Sequence, residues 1–170
     1  METKRLEQEF MAVFEANTNA LFRHIYMRIH DRDLAKDLAQ ESFTRMWQYI
    51  SEGKTIDNMR AFLYRTAHNI VIDYYRKKKE VSLDALNETG YDPEGVSKQA
   101  TEAPAEFEEF RRALTRIPDK YREAVTLRYV DEMLPEEIAG VLDISAGAVS
   151  VRINRGVEMV RKELGISTSQ

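Results

Sequence analysis

The chain has 170 residues, with 25 Lys+Arg against 29 Asp+Glu and no cysteine, which excludes a disulfide framework, a thiolate metal site, an iron–sulfur cluster and a cysteine nucleophile. No stretch approaches the roughly 20 apolar residues of a membrane span, and the first residues lack an export signal, so a cytoplasmic protein is expected. The net charge of −4 argues against a polyanionic partner only until it is divided along the chain: residues 1–80 carry +2, residues 81–110 carry −7 and residues 111–170 carry +1.

In chain order, Leu6, Phe10, Val13 and Phe14 recur at helical spacing, and Leu21, Ile25, Met27 and Ile29 resume the pattern after a polar interruption at Asn17, Thr18 and Asn19. Asp31 or Asp33 can cap a second helix, whose Leu38, Phe43, Met46, Trp47 and Ile50 form one apolar face through Ala39 and Ser42. Its other face is Asp33, Lys36, Asp37, Gln40, Glu41 and Thr44. After a loop at Ser51–Thr55, Asp57 or Asn58 can cap a long helix to about Lys79, with Met59, Phe62, Leu63, Ala67, Ile70 and Tyr74 inward. Residues 81–104 have the low hydrophobicity and one-sign charge of a mobile acidic linker.

A second helical segment starts near Ala105 and is stopped at Ile117-Pro118, because proline biases its predecessor away from the helical region. Helices over Asp119 to about Val130, Pro135 to Leu142 and Ala146 to about Leu164 follow, the last two separated by a tight break at Asp143–Ser145. No run alternates as a strand. The expected class is all-α, with helical domains at 1–80 and 105–170 joined by the linker.

Two features carry chemistry. Residues 136–160 have the spacing of a helix-turn-helix, with Ile138, Ala139, Leu142, Ile144, Val149 and Ile153 inward, and with Ala146, Ser150, Val151, Asn154 and Arg155 outward. Ser145 can cap the second helix, where Arg152, Arg155, Arg161 and Lys162 oppose only Glu158 and Glu163. The earlier helix carries Arg60, Arg65, Arg76, Lys77, Lys78 and Lys79 against Asp73, interleaved with Tyr64, His68, Tyr74 and Tyr75. Rings beside cations suit an unstacked single strand, each stacked base contributing about 1–3 kcal/mol. A basic, dipole-complementing helix end over a core of aromatics would produce the same pattern.

These residues together resemble the extracytoplasmic-function (ECF) sigma factors of bacterial RNA polymerase. Asp33, Asp37, Leu38, Gln40, Glu41, Phe43 and Trp47 match one family signature; within Phe62–Arg76, Leu63, Ala67, Asn69, Asp73 and Arg76 match a second; Ile117-Pro118 to Arg155 matches the C-terminal DNA-binding region. The resemblance implies that Asp33, Asp37, Gln40 and Glu41 meet core RNA polymerase. It implies that Lys54, Arg60, Tyr64, Arg65, His68, Asn69, Tyr75 and Arg76 hold the melted −10 strand. Ala146, Ser150, Val151, Asn154 and Arg155 would read −35 promoter DNA, with Arg152 nearer phosphate. An anti-sigma factor is an implied further partner, and neither cofactor nor enzymatic activity is expected. Three departures stand out: Phe62 for the usual tryptophan, Ser150-Val151 for a Lys/Arg–Ser pair, and Asp143 where glycine is common in the turn.

Two other readings compete with this one. A dimeric helix-turn-helix regulator would explain the C-terminal motif but leave the Asp33–Trp47 pattern without a role. An enzyme would have to use His24, His30 and His68, which fall on separate helices without metal-ligand spacing.

Overall fold

The structure is a computed structural model that describes residues 2–85 and 104–166. Among these residues there are seven α-helices and no strand: α1 (Glu2–Ile29), α2 (Arg32–Ser51), α3 (Met59–Ala85), α4 (Ala105–Arg116), α5 (Asp119–Tyr129), α6 (Pro135–Leu142) and α7 (Ala146–Glu163). The chain divides into two units, with the boundary between Ser97 and Lys98. This is the all-α, two-domain architecture that the periodicity predicts.

In the first unit α1, α2 and α3 all pack on one another. Leu21 and Ile25 of α1, Leu38, Phe43, Met46 and Ile50 of α2, and Leu63, Ala67, Ile70 and Val71 of α3 form the buried core. Toward the start of α1 the packing turns aromatic: Phe10 lies 5.1 Å from Trp47, and Phe14 meets Phe43 edge-on at 4.8 Å.

The polar interruption at Asn17–Asn19 does not break α1. Asn17 donates its side-chain amide to the Val13 carbonyl at 2.8 Å, and the Thr18 hydroxyl donates to the Phe14 carbonyl, so both groups are satisfied one turn back within the helix. His30 then takes a left-handed conformation (φ 59°), and Asp31 caps α2 by accepting from the Leu34 amide at 3.0 Å. Gly53, at φ 80°, turns the chain out of α2, and Asn58 caps α3 through the Ala61 amide at 2.9 Å. α3 runs on to Ala85, past the end expected near Lys79; the charge shift that suggested an end contains no glycine or proline before Gly90. Residues 86–103 of the expected linker lie outside the described residues.

In the second unit α7 packs on α4, α5 and α6. Ala113, Leu114, Ile117, Tyr121, Val125 and Val160 form its buried centre, with Phe110, Val157, Met159 and Leu164 against them. Ile117 is extended (φ −94°, ψ 155°), as the following proline requires.

Candidate nucleic-acid interface

The helix-turn-helix is built by short-range rules. Pro135 starts α6, and the Glu137 carboxylate accepts from the Leu134 amide at 2.9 Å. Asp143 ends α6 in the left-handed region (φ 54°, ψ 48°), so aspartate performs the turn that glycine commonly makes. The Ile144 amide donates back to the Ala139 carbonyl at 3.2 Å, and the Ser145 hydroxyl accepts from the Ala148 amide at 3.1 Å. Ile138, Val149 and Ile153 are buried, while Ala139, Leu142 and Ile144 are half-buried. Val141, not assigned inward from the sequence, is buried as well.

This packing leaves Ala146, Ser150, Val151, Asn154 and Arg155 exposed on α7, with Arg152 half-buried beside them. The Ser150 hydroxyl donates to the Ala146 carbonyl at 3.2 Å, so toward a ligand it can still accept. Val151 is 48% exposed and offers an apolar contact of the kind that a thymine methyl takes. The Arg155 guanidinium on α7, and secondarily Lys120, hold the Tyr121 hydroxyl of α5 below its ordinary pKa. One residue on from Arg155, Gly156 is buried where α5 and α7 meet.

In the first unit, Arg65, Asn69, Ile72 and Arg76 follow one another at helical spacing and are all exposed, so α3 presents one face combining two cations, an amide and an apolar side chain. His68 is half-buried beside it. Tyr75 is 43% exposed and donates its hydroxyl to the Arg28 carbonyl; burial of that hydroxyl raises its pKa. The ring is thus fixed at one edge. Arg76 pairs with Asp73 at 3.2 Å, and Lys54, in the loop before α3, pairs with Glu52 and lies 4.9 Å from the Tyr49 ring centre.

Tyr64 departs from expectation. It is fully buried, its ring meeting His24 edge-on at 5.0 Å, with the Arg60 guanidinium 5.6 Å from the ring centre. A ring enclosed between α1 and α3 cannot stack on a base, so Tyr64 is corrected from strand-holding residue to core. His24, also fully buried, belongs to the same core.

On α2, Asp33, Asp37 and Gln40 are exposed, while the half-buried Glu41 pairs with Arg45 one turn on. Gln40 stands at the rim of an apolar groove of about 550 Å³, lined by Phe10, Met11 and Phe14 of α1 and by Phe43 and Trp47 of α2.

Residues 13–81 match the family Sigma-70 region 2, and residues 107–160 match Sigma-70, region 4. The ECF RNA polymerase sigma factor SigW of Bacillus subtilis (strain 168) is 31% identical over 174 residues, covering 96% of this chain and 93% of the relative. The chain belongs to the ECF sigma factors. A second relative from the same organism, the ECF RNA polymerase sigma factor SigM, is 31% identical over 140 residues, covering 78% of this chain and 81% of its own.

Solved structures share the sigma factor's fold at lower identity. The sigma factor RpoE from Bartonella quintana, in complex with the anti-sigma factor NepR, aligns with a TM-score of 0.72 at 20% identity over 97% of this chain and 99% of its own. CnrH, in complex with the cytosolic domain of CnrY, aligns at 0.65 and 21% identity over 95% and 91%.

Sequence reasoning missed three features of this sigma factor. Ile72 was overlooked because attention to rings and cations passes over an apolar residue that only the fold shows to be exposed. Phe10 and Phe14 were read only as members of the apolar repeat of α1, although with Met11 they line an open groove. Tyr121 was not singled out; the influence of Arg155 on it spans 34 residues, beyond the reach of any local pattern.

Proposed function

We propose that this sigma factor binds bacterial core RNA polymerase, directs it to promoters through a −35 and a −10 element, and helps hold the melted strand. The observation that carries this reading is the presence in one chain of two exposed faces of different chemistry, one in region 2 and one in region 4. The α7 face, Ala146, Ser150, Val151, Asn154 and Arg155, has the size and spacing of a recognition helix for the major groove. The α3 face, Arg65, Asn69, Ile72 and Arg76 with Tyr75 and His68 alongside, suits unstacked bases and their phosphates.

Asp33, Asp37 and Gln40 supply the polymerase contact in this reading, the two aspartate carboxylates facing a basic partner surface and the Gln40 amide beside them. Glu41 contributes once the partner displaces Arg45. An anti-sigma factor fits the same picture as a competitor for these surfaces. Transcription with core polymerase from a library of randomised promoters tests the proposal: selection of a spaced −35/−10 pair is expected, and a library that yields none overturns it.

A further inference from the structure

The first turns of α7 carry little polar chemistry. From Ala146 to Val151 the exposed residues are Ala146, Gly147, Ser150 and Val151, so neither a cation nor a side-chain amide stands on this part of the helix before Arg152. Ser150 is the one polar side chain among them, and its hydroxyl proton is directed to the Ala146 carbonyl at 3.2 Å, which leaves it an acceptor toward a ligand. Val149 and Ile153 anchor the opposite side of the helix in the core. Val151, midway between them in sequence, points away from that core and is 48% exposed. Valine is a poorer helix former than alanine, so helix formation gives it no advantage at an exposed position.

We infer that Val151 is a specificity-determining residue that reads the 5-methyl group of a thymine in the −35 element, so that an A·T pair is required opposite it. The inference rests on the promoter-binding reading proposed above and assigns a base to one residue of the recognition helix.

The residues near the start of a recognition helix are those that meet base edges. Among the four bases of DNA, thymine alone presents a methyl group in the major groove. Guanine presents two acceptors there and needs a donor, which the Ser150–Val151 step does not supply. Cytosine presents an amino group that Ser150 could accept, but it sets no methyl against Val151. An A·T pair supplies both partners at once, an amino hydrogen for the Ser150 oxygen and a methyl for the valine. Valine is also suited to a small fixed target. In a helix its χ1 is held largely to one rotamer, so its methyls are placed before DNA arrives and little order is lost on contact. Asn154 and Arg155 stand one turn on from Ser150 and Val151 and are exposed beside them, so α7 divides into an apolar reading end and a polar one.

The test removes the methyl from the DNA as well as the side chain from the protein. A −35 element is first selected with reconstituted holoenzyme from promoters randomised at −35. Each of its thymines, on both strands, is then replaced in turn by deoxyuridine, which lacks only the 5-methyl group. Binding by the wild-type holoenzyme is expected to weaken about 3- to 10-fold at one position and to change little at the others. Holoenzyme carrying Val151→Ala should bind deoxyuridine and thymine alike at that position. With the same pair changed to G·C, 5-methylcytosine should bind the wild type better than cytosine, and Val151→Ala should not distinguish them. Alanine favours the helix, so the variant is expected to fold, which circular dichroism checks; the two wild-type comparisons decide the matter without it. A selected element without thymine, a wild type indifferent to every deoxyuridine or to the cytosine methyl, or a sensitivity that Val151→Ala retains overturns the inference. A library that selects no −35 element at all overturns the promoter-binding reading instead, a result distinct from each of these.

Discussion

At the scale of single residues, the second unit depends on a glycine that no motif marks. A Cβ at Gly156 would lie 2.5 Å from Val125 Cγ2 as well as close to the Tyr121 carbonyl oxygen. Valine is stiff at χ1 and the backbone oxygen cannot rotate away, so the roughly 1 kcal/mol that alanine gains in helix propensity is outweighed by overpacking of about 1–3 kcal/mol. Gly156→Ala should therefore lower the thermal midpoint of the C-terminal unit, measured by circular dichroism; a raised midpoint would show that α5 yields. Core and interface are separated in α3 by one comparison. Tyr64→Ala should destabilise the first unit by about 3–5 kcal/mol, the cost of emptying a buried aromatic site. Ile72→Ala, at a side chain 50% exposed, should leave denaturant unfolding within about 0.5 kcal/mol yet weaken binding of −10 single strand by the holoenzyme. Tyr64 was misread because a ring beside a cation looks the same in sequence whether the ring faces a base or His24.

At the scale of elements, boundaries set by local chemistry were legible and those set by tertiary context were not. Asp31, Asn58 and Ser145 cap as their side chains allow, and Ile117-Pro118 breaks the chain where φ and ψ demand it. The continuity of α1 through Asn17 was not readable, because the same side chain can end a helix or donate back to it. Packing decides between the two: Asn17 is 9% exposed, held on the side of α1 that carries Leu21 and Ile25. The α6–α7 turn offers a test of an element boundary. A left-handed conformation costs a non-glycine residue about 1–2 kcal/mol, less for aspartate. Asp143→Gly should be neutral or slightly stabilising, since glycine's extra freedom in the unfolded chain offsets part of the relief. Asp143→Val should cost at least about 1 kcal/mol and lower −35-dependent transcription in proportion. Equal midpoints for the two variants would show that this turn does not hold the recognition helix in place.

At the scale of the whole molecule, charge distribution decides how the chain can meet DNA. Residues 1–80 carry only +2 and residues 111–170 only +1, while the sequence between them carries −7. Nonspecific affinity for duplex follows the number of phosphates neutralised, and neither segment has a large net surplus of cations to supply it. The local faces are better equipped than the totals: Arg65 and Arg76 lie on α3, and Arg152 and Arg155 on α7. Faces of this kind bind usefully when a larger assembly presents both to one promoter, because the second contact then forms at high effective concentration. The free chain should accordingly bind promoter duplex weakly, with a shallow dependence on salt, while the holoenzyme binds the same fragment tightly. In a gel shift with and without core polymerase, replacing both Arg65 and Arg76 by Ala should weaken the holoenzyme complex across all −35 sequences alike and flatten its salt dependence. Tight, sequence-specific binding of the free chain would instead mean that its recognition helix suffices alone, and that presentation by the polymerase adds nothing to affinity.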